Sequence, residues 1–452
     1  MARTGSSAHR HRLQGVALLL LFVAVGCRGA REPVLLPLRE ASPKTPVVLL
    51  PGLTGTVLRD IESGRVVWGN ARSFFFPRDG GYATAVPLTP TPGGHRTLEP
   101  VRPILEIRLF GLYKRTIYRS LSRLMELNGY RPGVLHSPGA DDDFFFFVYD
   151  WRLGVERAAQ SLARQLERLR EARGDERLRV SLICQSDASL IARYYLKYGG
   201  ASIEEAEAGN ARPPSNVEID KLILVGTANG GSLRVLHEMN RGRIYVRTFG
   251  RRWQPETLFT FASLYQSLPV HREDLFFGPD GEPLAVDLFD AKEWERYGWA
   301  IFGSKARQRI VRHDAQGLFG GPDDRRRFLA TMLDRAQRLH RLLSTDVADV
   351  AMPRYYSIQN RYRASPERAM ITYVDGSWRT EFFSDRSLQK SPLWLDLAVA
   401  SGDGHATVAS QNWLSPGERA ALAHPPAYVD GAHFGIILEP ATQHKILEFL
   451  LD

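Results

Sequence analysis

Three short segments carry a serine, an aspartate and a histidine whose types and settings suit acyl transfer. Ser186 lies in Cys184-Gln185-Ser186-Asp187-Ala188, between an apolar run over 178–183 and a helical pattern from Leu190 onward. Asp403 lies in Ser401-Gly402-Asp403-Gly404, and His433 in Gly431-Ala432-His433-Phe434-Gly435, just ahead of the last helical segment. A serine hydroxyl is a weak nucleophile until a base takes its proton. Histidine suits that task, and a carboxylate fixes the imidazole tautomer and stabilises its cation. The spacing therefore assigns Ser186 as nucleophile, His433 as base and then acid, and Asp403 as the group that orients His433.

Acyl transfer also needs donors for the oxyanion. Pro51-Gly52-Leu53-Thr54-Gly55 follows the first apolar strand, so the backbone N–H of Leu53 and that of Asp187 are the expected pair. The chain order Ser, Asp, His is that of α/β-hydrolases. A nucleophile elbow usually has glycine on both flanks, because strand and helix pass too close for side chains. Here Cys184 and Ala188, both small, take those places. A serine at a strand–helix joint is otherwise most often a helix N-cap. Four segments in the right order on the right elements outweigh that plainer reading.

The elements that must position these residues follow from periodicity. Apolar runs predict buried strands over 46–52, 144–149, 178–183 and 219–225, and later over 355–360 and 370–374. Helical spacing predicts helices over 112–128 and 155–173, with an irregular proline-rich connection over 87–103. Strands alternating with helices imply a mostly parallel sheet covered on both faces. Residues 232–350 break the rhythm and read as a largely helical cap. The expected organisation is a core over 46–231 with a lid-like insertion near 60–110, then the cap at 232–350, then the rest of the core over 351–452. Trp68, Phe74, Phe75 and Phe76 suit either an interfacial edge or core packing. Cys184 reads as structural, and Asp150 with Arg152 as a brace near the site.

Five segments resemble the lecithin:cholesterol acyltransferase family, which includes phospholipid:diacylglycerol acyltransferases and lysosomal phospholipases. Residues 46–55 are similar to its PVVLxPGxxG opening, and Tyr149-Asp150-Trp151-Arg152 to its YDWR segment. Residues 190–195 match its LxARYY helix, 226–233 resemble GTPNxGSL with Ala228 for the proline, and 402–404 match GDG. The likeness spans most of 46–440 and is thin from about 240 to 350. It implies an α/β-hydrolase with a cap, acting without a cofactor on ester-linked acyl groups of lipids. The chain departs from the family at Gln185, at Asp187-Ala188-Ser189 and at His405-Ala406. It has no counterpart of the mammalian lid cysteine pair.

Composition excludes other classes. The chain of 452 residues is 44% hydrophobic, enough for a large core, and has two cysteines, too few for a disulfide scaffold or a four-cysteine zinc site. No HExxH or paired metal spacing occurs, so no metal is expected. The net charge of +9 comes mainly from 51 arginines dispersed along the chain, which argues against a nucleic-acid partner.

Arg3, Arg10 and Arg12 precede an apolar run over 16–25, too short to span a bilayer and ending in Ala24-Val25-Gly26-Cys27. This pattern predicts a signal peptide over 1–26 and a bacterial lipobox, with Cys27 lipidated at the head of a linker over 27–45. An ordinary signal peptide, giving a periplasmic or secreted protein, is the other reading. Loss of 1–26 leaves a net charge of +6. The expected partners are thus a lipid ester and a membrane surface. The leading function is a lipid acyl hydrolase or acyltransferase, and the rival is an inactive hydrolase fold that binds lipid or protein. Cys27→Ser should release the protein or leave an unprocessed precursor, and mass spectrometry should find a diacylglyceryl group on Cys27. A free Cys27 thiol on soluble mature protein would end the lipidation idea.

Overall fold

The computed structural model describes residues 44–77, 79–89, 97–109, 113–244, 252–348 and 350–452. The expected signal peptide, Cys27 and nearly all of the linker lie outside the described residues. Strands β1 (Val47–Leu50), β2 (Pro132–Val134), β3 (Phe144–Phe146), β4 (Leu178–Gln185), β5 (Val217–Val225), β6 (Arg354–Gln359) and β7 (Ala427–Tyr428) form one sheet. Its order is β7-β6-β5-β4-β1-β3-β2, and every neighbouring pair is parallel. The main helices are α1 (Arg119–Leu127), α2 (Val155–Arg173), α3 (Ala188–Tyr198), α4 (Leu233–Arg241), α5 (Pro322–Ser344) and α6 (Pro440–Leu451). Among the described residues no helix is long and apolar enough to cross a membrane.

Alternate side chains of a strand point to opposite faces, and β1 shows the consequence. Val48 and Leu50 join a core with Leu162 and Leu166 of α2 and Tyr194 of α3. Val47 and Leu49 join a second core with Leu121 and Leu124 of α1 and Ile446 and Leu447 of α6. Each such aliphatic side chain gains about 1.5–3 kcal/mol by burial. The α2 helix forms where the pattern predicts: Ala158, Ala159, Leu162, Leu166 and Leu169 make its buried stripe. Gly174, at φ 68°, stops it in a left-handed cap, with Arg170 and Arg173 near its negative end.

Three expectations need correction. Residues 98–103 are not irregular: Leu98–Pro103 pairs antiparallel with Thr56–Asp60, and its prolines are tolerated because the strand lies at the edge of a three-stranded sheet. The helix expected over 112–128 begins only at Arg119, because Tyr113–Thr116 forms a hairpin with Glu106–Leu109. The strand Ala369–Val374 forms but does not extend the central sheet. It pairs with Ser377–Glu381 across Asp375-Gly376, both at positive φ, the two-residue turn that favours a tight hairpin, and with Phe276–Phe277.

Residues 232–244 and 252–348 are mostly helical, and their apolar side chains (Phe259, Tyr265 and Trp294 among them) merge with the first core. The aromatic group near residue 75 splits. Trp68, Phe74 and Phe75 are buried, with Trp68 stacked on Phe74 at 4.3 Å, while Phe76 is exposed. Core packing therefore holds for three of the four.

The helix that follows Ser186 is anchored by buried charge. Arg193 of α3 donates Nε and Nη2 to Glu418 at 3.0 and 2.7 Å, and Lys197, one turn on, lies 3.2 Å from the same carboxylate. Lys197 also donates to the carbonyls of Leu343 and Thr345. Burial would raise the Glu418 pKa, but the two cations and the Ser415 N–H hold it at about 2. Its stabilisation is therefore present above the ordinary carboxylate range and lost only as pH falls toward 2. Glu418→Leu strands two buried cations and should cost about 3–5 kcal/mol in denaturant unfolding. A loss no larger than that of an exposed ion pair would contradict this role for the network.

Candidate active site

Ser186 sits where the central strand β4 turns into α3, with φ at 56°. A non-glycine residue held in this region costs about 1–3 kcal/mol, and the surroundings must offset that. The Ser186 N–H donates to the Val225 carbonyl of β5 at 3.2 Å, and its own carbonyl accepts from the Ser189 N–H at 3.3 Å. The flanking positions tolerate their side chains because both point into the core. Cys184 is a free, fully buried thiol in register with Leu50 and Leu224, and Ala188 is equally buried. Burial pushes the Cys184 pKa up, so it stays a neutral, structural thiol. The close approach falls instead on Gly52 of the facing loop, where a Cβ would lie 3.0 Å from Ser186 Cβ and 3.2 Å from the Gln185 carbonyl.

The three chemistry-bearing side chains converge at one end of the sheet. Ser186 Oγ lies 2.7 Å from His433 Nε2, and His433 Nδ1 lies 2.6 Å from Asp403 Oδ2. The second oxygen of Asp403 accepts the N–H groups of His405 and Ala406 at 2.9 and 2.8 Å. The Asp403 carbonyl also accepts the His433 N–H at 3.1 Å, tying the two loops by backbone as well as side chain. Burial alone would lower the His433 pKa. The charge and hydrogen bond of Asp403 carry it above the ordinary imidazole value. The His405 ring stacks on His433 at 4.3 Å and 16°. Burial first, and then the neighbouring positive groups, drive the His405 pKa well down, so this ring stays neutral.

The N–H groups of Leu53 and Asp187 donate to no protein acceptor among the described residues. Both residues line a cleft that opens over Ser186. The wall includes apolar Phe74, Ile104, Ile117, Val235 and Leu264, with Arg115, Arg234 and Arg243 at its polar part.

Two tyrosines absent from the sequence-based assignment position this loop. Tyr118 accepts the Gly52 N–H at 3.2 Å and donates its own hydroxyl proton to Gln185 Oε1. Tyr149 donates to the Pro51 carbonyl at 2.8 Å. Tyr149 begins the Tyr-Asp-Trp-Arg segment and was within reach of sequence reasoning, whereas nothing around Tyr118 singles it out. Asp150 and Arg152 pair at 2.6 Å beside this region, and Arg152 also donates to the Thr84 carbonyl.

No family profile matches the chain, and no curated protein matches its sequence. Among solved structures, a chain of the Tle4–Tli4 complex superposes with a TM-score of 0.58 at 13% identity, covering 91% of this chain and 98% of that one. Bacillus licheniformis lipase BlEst2 in its mature form matches at 11% identity over 92% of this chain and 95% of its own, with a TM-score of 0.32. The parallel sheet with helices on both faces is an α/β-hydrolase fold.

Tyr118→Phe removes the hydroxyl that joins the Gly52 loop to Gln185. Leaving the Gly52 N–H and the Gln185 amide oxygen without it should cost about 1–3 kcal/mol in denaturant unfolding. An unchanged midpoint would show that the tyrosine braces nothing.

Proposed function

We propose that the chain is a serine-dependent hydrolase or acyltransferase acting on ester-linked acyl groups of lipids. The reading rests on one observation above all: a continuous line of short contacts from Ser186 Oγ through His433 to Asp403, at 2.7 and 2.6 Å. In this scheme Ser186 attacks the ester carbonyl as its proton passes to His433 Nε2. The oxyanion is held by the N–H groups of Leu53 and Asp187. The carbon–oxygen bond breaks, and the leaving alcohol takes the proton from His433. Water or a second alcohol then attacks the acyl-enzyme by the reverse sequence, with His433 again as base. Asp403 orients His433 and stabilises the imidazolium that forms in each half.

The apolar wall of the cleft suits an acyl chain, and the resemblance to the lecithin:cholesterol acyltransferase family favours a lipid ester. Lipidation at Cys27 would hold the enzyme at a membrane surface, where such a substrate is concentrated. All the groups in this scheme are supplied by the chain itself.

Hydrolysis of a long-chain lipid ester, followed against pH, tests the scheme. The base must be neutral, so activity should fall as pH drops through the His433 pKa, which Asp403 raises above the ordinary imidazole range. Ser186→Ala should lower the rate by about 10⁴- to 10⁶-fold, and adding His433→Ala should cost little more. Asp403→Asn should cost about 10⁴-fold and move the acid limb to lower pH. Full activity in Ser186→Ala would dismiss the scheme.

A further inference from the structure

The acyl-transfer scheme uses only the backbone of Asp187, yet its side chain occupies an unusual place. Its Oδ2 lies 3.3 Å from Ser186 Oγ, on the same hydroxyl that faces His433 Nε2 at 2.7 Å. A serine hydroxyl has one proton to donate. His433 and Asp187 therefore compete for it when the carboxyl is ionised. The other oxygen, Oδ1, is buried without a hydrogen-bond partner. A carboxylate so placed would be a costly buried anion. A carboxylic acid would instead donate its own proton to Ser186 Oγ and leave the serine proton to His433.

We propose that Asp187 gates the nucleophile: in its acid form it donates to Ser186 Oγ and directs the serine proton to His433, and in its ionised form it withdraws that proton and disfavours the oxyanion. No bond other than the Asp187 O–H is made or broken by the gate, and the released proton goes to solvent. Several groups around it support the acid form or oppose it. Burial pushes the Asp187 pKa above the ordinary carboxylate range, against the charge of His433 from the loop after β7, the Ser186 hydroxyl, and Arg243 beyond α4. Tyr149, after β3, also lies close enough to feel its charge. Arg115, Arg234, Glu238 and His405 line the same cleft, with Glu238 ion-paired to Arg234 and Arg243. Asp187 and His433 thus titrate as a coupled pair. The productive form, with His433 neutral and Asp187 protonated, is then confined between an acid and an alkaline limb.

This inference rests on the acyl-transfer reading, and one experiment separates the two. The rate of covalent inactivation by a fluorophosphonate is measured across pH for the wild-type protein, Asp187→Asn, Asp187→Ala and Ser186→Ala. Wild type should show both limbs, the alkaline one falling about tenfold per pH unit. Asp187→Asn, a neutral isostere, should keep the acid limb and run level on the alkaline side. Asp187→Ala removes the carboxyl altogether, so it too should keep the acid limb and run level on the alkaline side. That variant also carries the test if Asp187→Asn does not fold. An alkaline limb that is missing in wild type, or unchanged in both variants, overturns the gate while leaving the nucleophile intact. Inactivation of Ser186→Ala at the wild-type rate, or of no protein at any pH, would overturn the acyl-transfer reading and the gate with it.

Discussion

The left-handed turn at Ser186 is the constraint around which the rest of the molecule is arranged. A serine at φ 56° persists only if its neighbours fix it from several sides. Its N–H is held by β5, the facing loop keeps a glycine at position 52 so that backbone can pass close, and α3 begins two residues later. α3 is in turn pinned through Arg193 and Lys197 to Glu418, in the last part of the chain, and to carbonyls at the end of α5. The turn is thereby coupled to elements more than two hundred residues away in sequence. A change in that buried ion network can disturb the turn at Ser186 without touching the cleft.

The electrostatics at the turn have a clear asymmetry. His433 sits between two carboxyl groups in different settings. Asp403 is satisfied by two backbone N–H groups and the imidazole. Asp187 has one oxygen without a partner and lies in a more costly place for charge. The neutral His405 ring packs on the face of His433 without adding a second positive charge beside it. Burial strengthens each of these interactions, because the dielectric inside a protein is low.

Much of this arrangement was legible in the residues. The α2 helix is bounded as its apolar stripe predicts, and Ser186, Asp403 and His433 meet although 247 residues separate the first from the last. Glycine-rich loops at strand ends mark such residues because the backbone there must pass close to a reacting group. Other features have no local signature. The strand Leu98–Pro103 is hidden by prolines that only an edge position permits. Asp375-Gly376 did carry a hairpin signal, which redirects Ala369–Val374 away from the central sheet. Tyr118 is invisible in sequence because its role depends on two distant segments, Gly52 and Gln185, arriving beside its hydroxyl. The side chain of Asp187 likewise acquires meaning only when its distance to Ser186 Oγ is known.

The central claim is that Ser186 is a nucleophile activated through His433, and the most direct test is to locate its covalent adduct. The protein is treated with a fluorophosphonate, digested, and its modified peptide identified by mass spectrometry, beside His433→Ala handled in the same way. The account predicts one adduct, on Ser186, formed far more slowly in His433→Ala. An adduct on a different residue, or equal labelling of Ser186 in the two proteins, would contradict it.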